Sequence, residues 1–285
     1  ALNAGKHLFL EKPVALTSDE ITILQKLAIK KKLSVAVNFE YRCVPHFNQA
    51  KKIIDDGVIG NPWLVKFDWL MSSRANTDRS WNWYSDSKQG GGVIGALGTH
   101  AFDILHWLIG PTVSVSSLLS TSIKSRRDYN NDSLLKVTSE DTCFAQLELF
   151  SNLINQKIPC QIALSAVAIN GRGCWIEIYG SKGKLLLGSD NQNDYVHGFG
   201  LWLSKHGDRP IPITPDKKFI LPRTWKDGRV APITKLHTLW SESILKNTPM
   251  IPGLVEAFNS QLVCDLIKDS SANGMKILID TVYQQ

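Results

Sequence analysis

Ala1–Leu16 reads ALNAGKHLFLEKPVAL, and this stretch decides the fold class. Ala4-Gly5 closes a helix, His7–Leu10 is a short apolar strand, and Glu11-Lys12-Pro13 is a charged pair stopped by proline. Apolar runs of this kind are buried strands of parallel sheets, and residues just past their carboxyl ends line the crevice where open α/β sheets bind ligands. Proline fixes its own φ, restricts the residue before it and permits a cis bond. Lys12 is therefore either a solvated lysine or a positioned cation beside a cleft, and its neighbours Glu11 and Pro13 favour the second reading.

Working outward, Thr17-Ser18-Asp19-Glu20 is a capping box with Thr17 as N-cap. Ile21, Leu24, Leu27 and Ala28 then recur at helical spacing to about residue 31. Leu33–Phe39 (LSVAVNF) is a β-branched buried strand. Strand, turn, helix and strand make one right-handed βαβ crossover of a parallel sheet. Asn38, Tyr41 and Arg42 fall at or just past the end of its second strand, on the rim that holds Lys12. Such a crossover needs partner strands and almost nothing precedes this one, so the chain is expected to begin in the middle of a domain.

From Pro45 a helix with Phe47, Ala50, Ile53 and Ile54 inward runs to Gly57 and Gly60. Trp63–Met71 alternates as a strand, Ser72–Gln89 is a polar loop, and Val93–Ile109 is a helix closed by Gly110-Pro111. Strands follow at Val113–Ser122, Thr142–Phe150, Cys160–Ile169, Trp175–Tyr179 and Lys184–Leu187, with polar loops at Arg126–Leu134 and Asn191–Asp227. Two amphipathic helices, about Pro232–Lys246 and Leu254–Ser271, precede a last strand, Lys276–Ile279. The pattern predicts an α/β segment followed by a largely antiparallel α+β domain.

The 285 residues, 43% hydrophobic, bury a large core and suit one domain plus part of another. No apolar run approaches the roughly 18 residues of a membrane span, and no secretory signal pattern is present. Five scattered cysteines without a CxxC pair read as free thiols of a reducing compartment, with the cytosol as the default, and offer no zinc site. The net charge of +6 comes from dispersed basic residues. Lys30-Lys31-Lys32 suits a helix C-terminus and Arg126-Arg127 lies in a loop, so a mildly basic cleft for acidic ligands is a better reading than nucleic-acid binding.

Chemistry concentrates in Gly90–His100, GGGVIGALGTH. The glycines allow close approach of a neighbour or a ligand at a helix start. His100 stands about two turns further on, with Asp103 at i+3 and Trp107 on the same face. One reading is a buried histidine hydrogen-bonded to Asp103; the other is a general acid/base titrating near neutrality. Arg74, Arg79, Trp81, Trp83 and Tyr84 suit sugar contacts and loop packing equally. Gly180-Ser181-Lys182-Gly183 joins two strands and reads as a hairpin turn, not a phosphate loop.

Taken together, AGKHLFLEKPVAL, NFEYR (Asn38–Arg42), GGGVIGALGTHAFDILHWLIG (Gly90–Gly110) and IEIYGSKGKLLL (Ile176–Leu187) resemble the glucose–fructose oxidoreductase/inositol dehydrogenase (Gfo/Idh/MocA) family, in order over essentially the whole chain. The resemblance implies the C-terminal part of a Rossmann sheet at 1–40, and a substrate and homo-oligomerisation domain with an open, mainly antiparallel sheet at 41–285. It implies hydride transfer between NAD or NADP and a carbinol or carbonyl carbon of a sugar, cyclitol or related polyol, without a metal, nucleic acid or membrane. It places Lys12 beside nicotinamide and substrate, and His100 as the group that hands the hydroxyl proton on or off. Glu11, Lys12, Pro13, Asn38 and Arg42 fall to the cofactor side, and Tyr41, Trp81 and Asp103 to the substrate side.

Two departures stand out. Many family members carry an aspartate four residues before the histidine; here that position is Ala96, with Asp103 as the nearest substitute. The Gly-x-Gly-x-x-Gly loop and the acidic residue about 20 positions beyond it belong before Glu-Lys-Pro, and neither is in this sequence. Gly90, Gly92 and Gly95 match the spacing but follow a polar loop. The expectation is a truncated chain that binds NAD(P) poorly or not at all. A non-catalytic dinucleotide- or sugar-sensing regulator and an inactive fragment are the alternatives.

Overall fold

The computed structural model describes residues 1–130 and 132–279, with position 195 as backbone alone. Its first strand, β1 (Leu8–Leu10), runs into the Glu-Lys-Pro turn, where the Lys12–Pro13 peptide is cis. The capping box starts α1 (Ser18–Lys30): Thr17 Oγ1 accepts from the Glu20 N–H, and Glu20 Oε2 accepts from the Thr17 N–H, both at 3.3 Å. β2 (Val35–Val37) lies parallel to β1, Leu8 opposite Val35, so the βαβ crossover is present. These strands are shorter than the apolar runs that announce them. The His7 ring accepts the Ser34 N–H at 2.9 Å, and the Phe39 N–H turns back onto the Val37 carbonyl at 2.7 Å.

A 3-10 turn, Glu40–Cys43, leads into α2 (Pro45–Asp55), with Pro45 at a first-turn position where its missing N–H costs nothing. β3 (Pro62–Leu70) follows. The helix expected from Val93 begins instead with a π-helical turn, Ile94–Gly98, and continues as α3 (Thr99–Leu108). After it come β4 (Thr112–Ser120), β5 (Ser125–Asp128), β6 (Ser133–Lys136), β7 (Thr142–Ser151), β8 (Gln156–Ser165), β9 (Gly173–Gly180) and β10 (Gly183–Ser189). The one-turn α4 (Tyr195–Gly198), β11 (Gly200–Lys205), β12 (Ile211–Pro212), α5 (Val230–Lys246), α6 (Leu254–Asn273) and β13 (Ile277–Leu278) complete the order.

Nine strands form one sheet in the order β12-β11-β10-β9-β3-β8-β7-β4-β13. All neighbours in it are antiparallel except β3 and β8. Along β7, Cys143, Ala145, Leu147 and Leu149 are buried while Phe144 and Gln146 face outward. This is the alternation of a sheet with one covered face. Helices α2, α3 and α6 cover that face. The main core includes Phe47 and Ile54 of α2, Phe102 and Leu105 of α3, and Val263 and Ile267 of α6.

Two stretches expected as loops carry strands. β5 and β6 pair as a hairpin, and the buried Arg126 guanidinium donates to the carbonyls of Arg74, Asn76 and Arg79. That contact belongs to tertiary structure and leaves no periodic trace in the sequence. β11 turns Leu201 and Leu203 inward against β10, a signal of two residues amid glycines and prolines.

Helix α6 spans both regions. Its start, Leu254 and Ala257, joins Ile21, Val35, Val37 and Phe39 in a second core around the βαβ unit, and its later turns enter the main core. Helix α5 lies against β1, where His237 stacks on Phe9 with ring centroids 3.7 Å apart. The rim of the small parallel sheet is thereby held against α3. None of the described helices is long and apolar enough to cross a membrane.

Candidate active site

Three elements meet at the carboxyl end of the β1–β2 sheet: the Glu-Lys-Pro turn, the segment Asn38–Cys43 and the start of α3. In the wide π-helical turn the Ala96 carbonyl accepts the Lys12 ammonium at 2.6 Å. Asn38, buried, donates its side-chain amide to Glu11 Oε1 at 2.9 Å, and its Oδ1 has no hydrogen-bond partner. His100 lies one turn beyond Ala96. Its Nε2 is 3.8 Å from Glu40 Oε2, and neither that oxygen nor His100 Nδ1 has a hydrogen-bond partner. Unsatisfied polar atoms are rare in buried sites, and a catalytic role is one of the reasons they occur.

Burial sets the charges here. It lowers Lys12 below the ordinary lysine range, against the opposing pull of Glu40 and Glu11. Burial, and then the Lys12 charge, hold His100 well below its ordinary 6.5, so the ring is neutral at pH 7. Glu40 is pushed up to about 7 by burial, against its own backbone N–H and Lys12. A neutral imidazole beside an ammonium is a proton acceptor next to an oxyanion-stabilising cation.

The structure brings Glu11, Lys12, Pro13, Asn38 and His100 to one rim and gives other expected residues different work. Asp103 does not orient His100: its carboxylate takes both donors of the Arg42 fork, Nε at 2.9 Å and Nη2 at 2.7 Å. A bidentate guanidinium–carboxylate pair outcompetes a neighbour at i+3. Arg42 is thereby committed to α3 and also stacks over Trp107 at 5.7 Å. Tyr41, expected at the substrate, is 1% exposed; its ring meets His100 edge-on at 4.9 Å and Trp69 at 5.6 Å, forming the wall behind the imidazole. Trp81 belongs to the β5–β6 hairpin, where its indole donates to the Lys136 carbonyl at 3.1 Å.

The glycine run is explained by neighbours within the protein. A Cβ on Gly91 would fall 2.4 Å from the Tyr84 carbonyl, and one on Gly92, at φ 102°, 2.3 Å from the Glu140 carboxylate. Glu140 Oε1 accepts the Ile94 N–H at 2.9 Å and so caps the helix that carries His100. A separate cleft of about 180 Å³ is lined by Arg42, Cys43, Lys218 and Lys235 and does not include Lys12 or His100.

Glu40 is the residue that motif reading passes over. The available signal was a carboxylate set between Phe39 and Tyr41, in a segment otherwise apolar enough to be buried.

This geometry can be set beside known proteins. The C-terminal α/β domain model of the GFO_IDH_MocA oxidoreductase family matches residues 51–279, and that family's NAD-binding Rossmann-fold model matches residues 1–39. The oxidoreductase sll0816 of Synechocystis sp. (strain ATCC 27184 / PCC 6803 / Kazusa) is 42% identical over 271 residues, covering 95% of this chain and 72% of that protein. Levoglucosan dehydrogenase of Pseudarthrobacter phenanthrenivorans is 33% identical over 288 residues, covering 95% of this chain and 73% of its own length. A solved levoglucosan dehydrogenase in complex with NADH and L-sorbose superposes with a TM-score of 0.84 at 21% identity, over 98% of this chain and 75% of that one. The chain belongs to the Gfo/Idh/MocA family of oxidoreductases.

Proposed function

We propose that this protein is an NAD(P)-dependent dehydrogenase or reductase of a sugar, cyclitol or related polyol, with residues 1–40 on the cofactor side and 41–285 on the substrate side. The observation that carries the reading is the buried pair of Lys12 and His100, supplied by different regions, with His100 Nδ1 left without a partner. When bound, NAD(P) supplies the hydride acceptor or donor. The residues present fit its nicotinamide end. The buried, unpartnered Asn38 Oδ1 would accept an amide N–H of the cofactor, and Glu11 holds Asn38 in place.

The chain's own part is to orient an alcohol and manage one proton. His100, neutral at pH 7, takes the hydroxyl proton in oxidation and returns it in reduction. Lys12 lies beside the developing oxyanion, where a cation lowers the pKa of the reacting hydroxyl. The Tyr41 and Trp69 rings wall off water behind the imidazole.

Turnover of NAD(P)+ against a sugar and polyol panel tests this. Activity that disappears in His100→Ala supports the reading, and undiminished turnover in both His100→Ala and Lys12→Ala overturns it. Cofactor binding without turnover on any sugar would identify a sensing regulator instead.

The outer face of the nine-stranded sheet supports self-association. Registered strands place Leu118, Phe144, Ala163, Asp68 and Trp175 in one row across it; Leu118 and Phe144, 65% and 51% exposed, form its open end, while Ala163, Asp68 and Trp175 are buried. Sedimentation velocity should show an oligomer that Phe144→Glu dissociates; a monomeric parent chain would exclude it.

A further inference from the structure

The cleft of about 180 Å³ beside the Glu40–Cys43 turn carries charge of one sign. Arg42, Lys218 and Lys235 line it, and no acidic side chain is among the described residues that do. Arg42 is the buried member, its side chain 11% exposed, and Asp103 takes its Nε and Nη2. Its Nη1 has no hydrogen bond among the described residues. Asp103 offsets one of the three positive charges. Lys218 and Lys235 are exposed, and neither enters an ion pair among the described residues.

The fold brings these cations together from separate elements. Lys218 belongs to the 3-10 turn Lys217–Phe219, which is tied to α2 where the Asp216 N–H donates to Gln49 Oε1 at 2.9 Å. Its ammonium lies 4.9 Å from the Phe219 ring centroid. Lys235 and Leu239 stand at i and i+4 on α5, so one helix face supplies a cation and an apolar wall. Phe219 and Leu221 add further apolar wall. The volume slightly exceeds the roughly 150 Å³ of a cavity that takes benzene. A hollow with apolar walls and a few placed polar groups is the ordinary form of a small-ligand site, and unbalanced cations around it concentrate anions.

We infer that this cleft binds a small organic carboxylate. The acid group lies between Lys218 and Lys235, with Arg42 Nη1 as a further donor, and a ring-sized apolar body covers Phe219, Leu221 and Leu239. Inorganic phosphate has the charge but no body to cover those walls. Neither Lys12 nor His100 lines the cleft, so this ligand is held apart from the reacting sugar.

Isothermal titration of benzoate into the chain tests the site, with benzamide and inorganic phosphate as the uncharged and bodiless controls. Benzoate should bind with a Kd of about 1 mM or tighter, at least roughly tenfold tighter than either control. No benzoate binding, or equal binding of phosphate or benzamide, overturns the proposal. Two variants locate the binding. Lys218→Glu/Lys235→Glu reverses the charge of two exposed residues, and Leu239→Trp fills the hollow without changing its charge. Each should weaken benzoate at least roughly tenfold in chains whose melting shows them folded. Benzoate affinity unchanged in both overturns the assignment, as do lysine ¹³Cε signals of 218 and 235 that stay fixed while benzoate binds. These readouts need neither cofactor nor turnover, so the outcome is independent of the hydride-transfer reading.

Discussion

Two buried ionic clusters sit side by side on the same two elements, the Glu40–Cys43 turn and α3, and they are built in opposite ways. In one, Arg42 and Asp103 close a two-point fork, and nearby His106 shares a hydrogen bond with Thr112 Oγ1 at 2.9 Å. Burial, and then Arg42, lower His106 to about 3, so it stays neutral. In the other, Lys12 rests on a carbonyl, Glu40 and His100 stand 3.8 Å apart, and Glu40 Oε2, His100 Nδ1 and Asn38 Oδ1 lack hydrogen-bond partners. A satisfied cluster ties structure together. An unsatisfied one of similar burial is a candidate for meeting a substrate or cofactor. Alternation along the chain, 40 against 42 and 100 against 103, sends neighbouring charged residues to different tasks.

The comparison breaks most sharply on activity. His100→Ala should cost roughly 10²–10⁴-fold in turnover, and it should lower the melting temperature less than loss of Asp103 does, because the cavity it leaves is partly offset by removal of an unsatisfied atom. Asp103→Ala should do the reverse. It strands a buried guanidinium and should cost about 3–5 kcal/mol of stability in urea unfolding. If both variants lose stability equally, the division between the clusters fails.

The pH dependence of stability sharpens the contrast next. Glu40 titrates at about 7 in the folded chain against 4.5 in the unfolded one. The native state therefore holds this proton more tightly, and its contribution is complete below pH 4.5 and lost as pH rises to about 7. At about 1.4 kcal/mol per unit, the loss is about 3 kcal/mol across that window. Glu40→Gln should flatten this part of the urea-midpoint profile, and an identical slope in the variant would show that another group carries it. The smallest effect belongs to a site that is part of neither cluster. Thr17→Ala, which removes the cap of α1, should cost about 1 kcal/mol and leave turnover unchanged, setting the scale for an ordinary local loss.

Legibility tracked distance along the chain. The βαβ crossover, the α1 cap and the Lys12 turn were readable because each rests on residues within one or two helical turns of each other. His100 was readable as a candidate from its place after the glycine run, yet its partner was not. The i+3 spacing pointed to Asp103, while the structure faces the ring with Glu40, 60 positions earlier. Spacing reports which side chains share a helix face and says nothing of what packs against that face. Tyr41 followed the same logic: the rim position was right, but Phe47, Trp69 and Phe199 enclose the ring.

The sequence by itself determined the βαβ start, the one-sided strands of the antiparallel sheet, the two final helices and the candidacy of Lys12 and His100. Those features follow from local periodicity, capping and motif, which act over a few residues. Only the tertiary structure decided that Asp103 belongs to Arg42, that Gly91 and Gly92 make room for Tyr84 and Glu140, and that Glu40 is the carboxylate facing His100. Those pairings depend on how α3 docks against the turn after β2. Docking is set by the summed burial of two cores that α6 joins, a quantity that no short window of sequence contains.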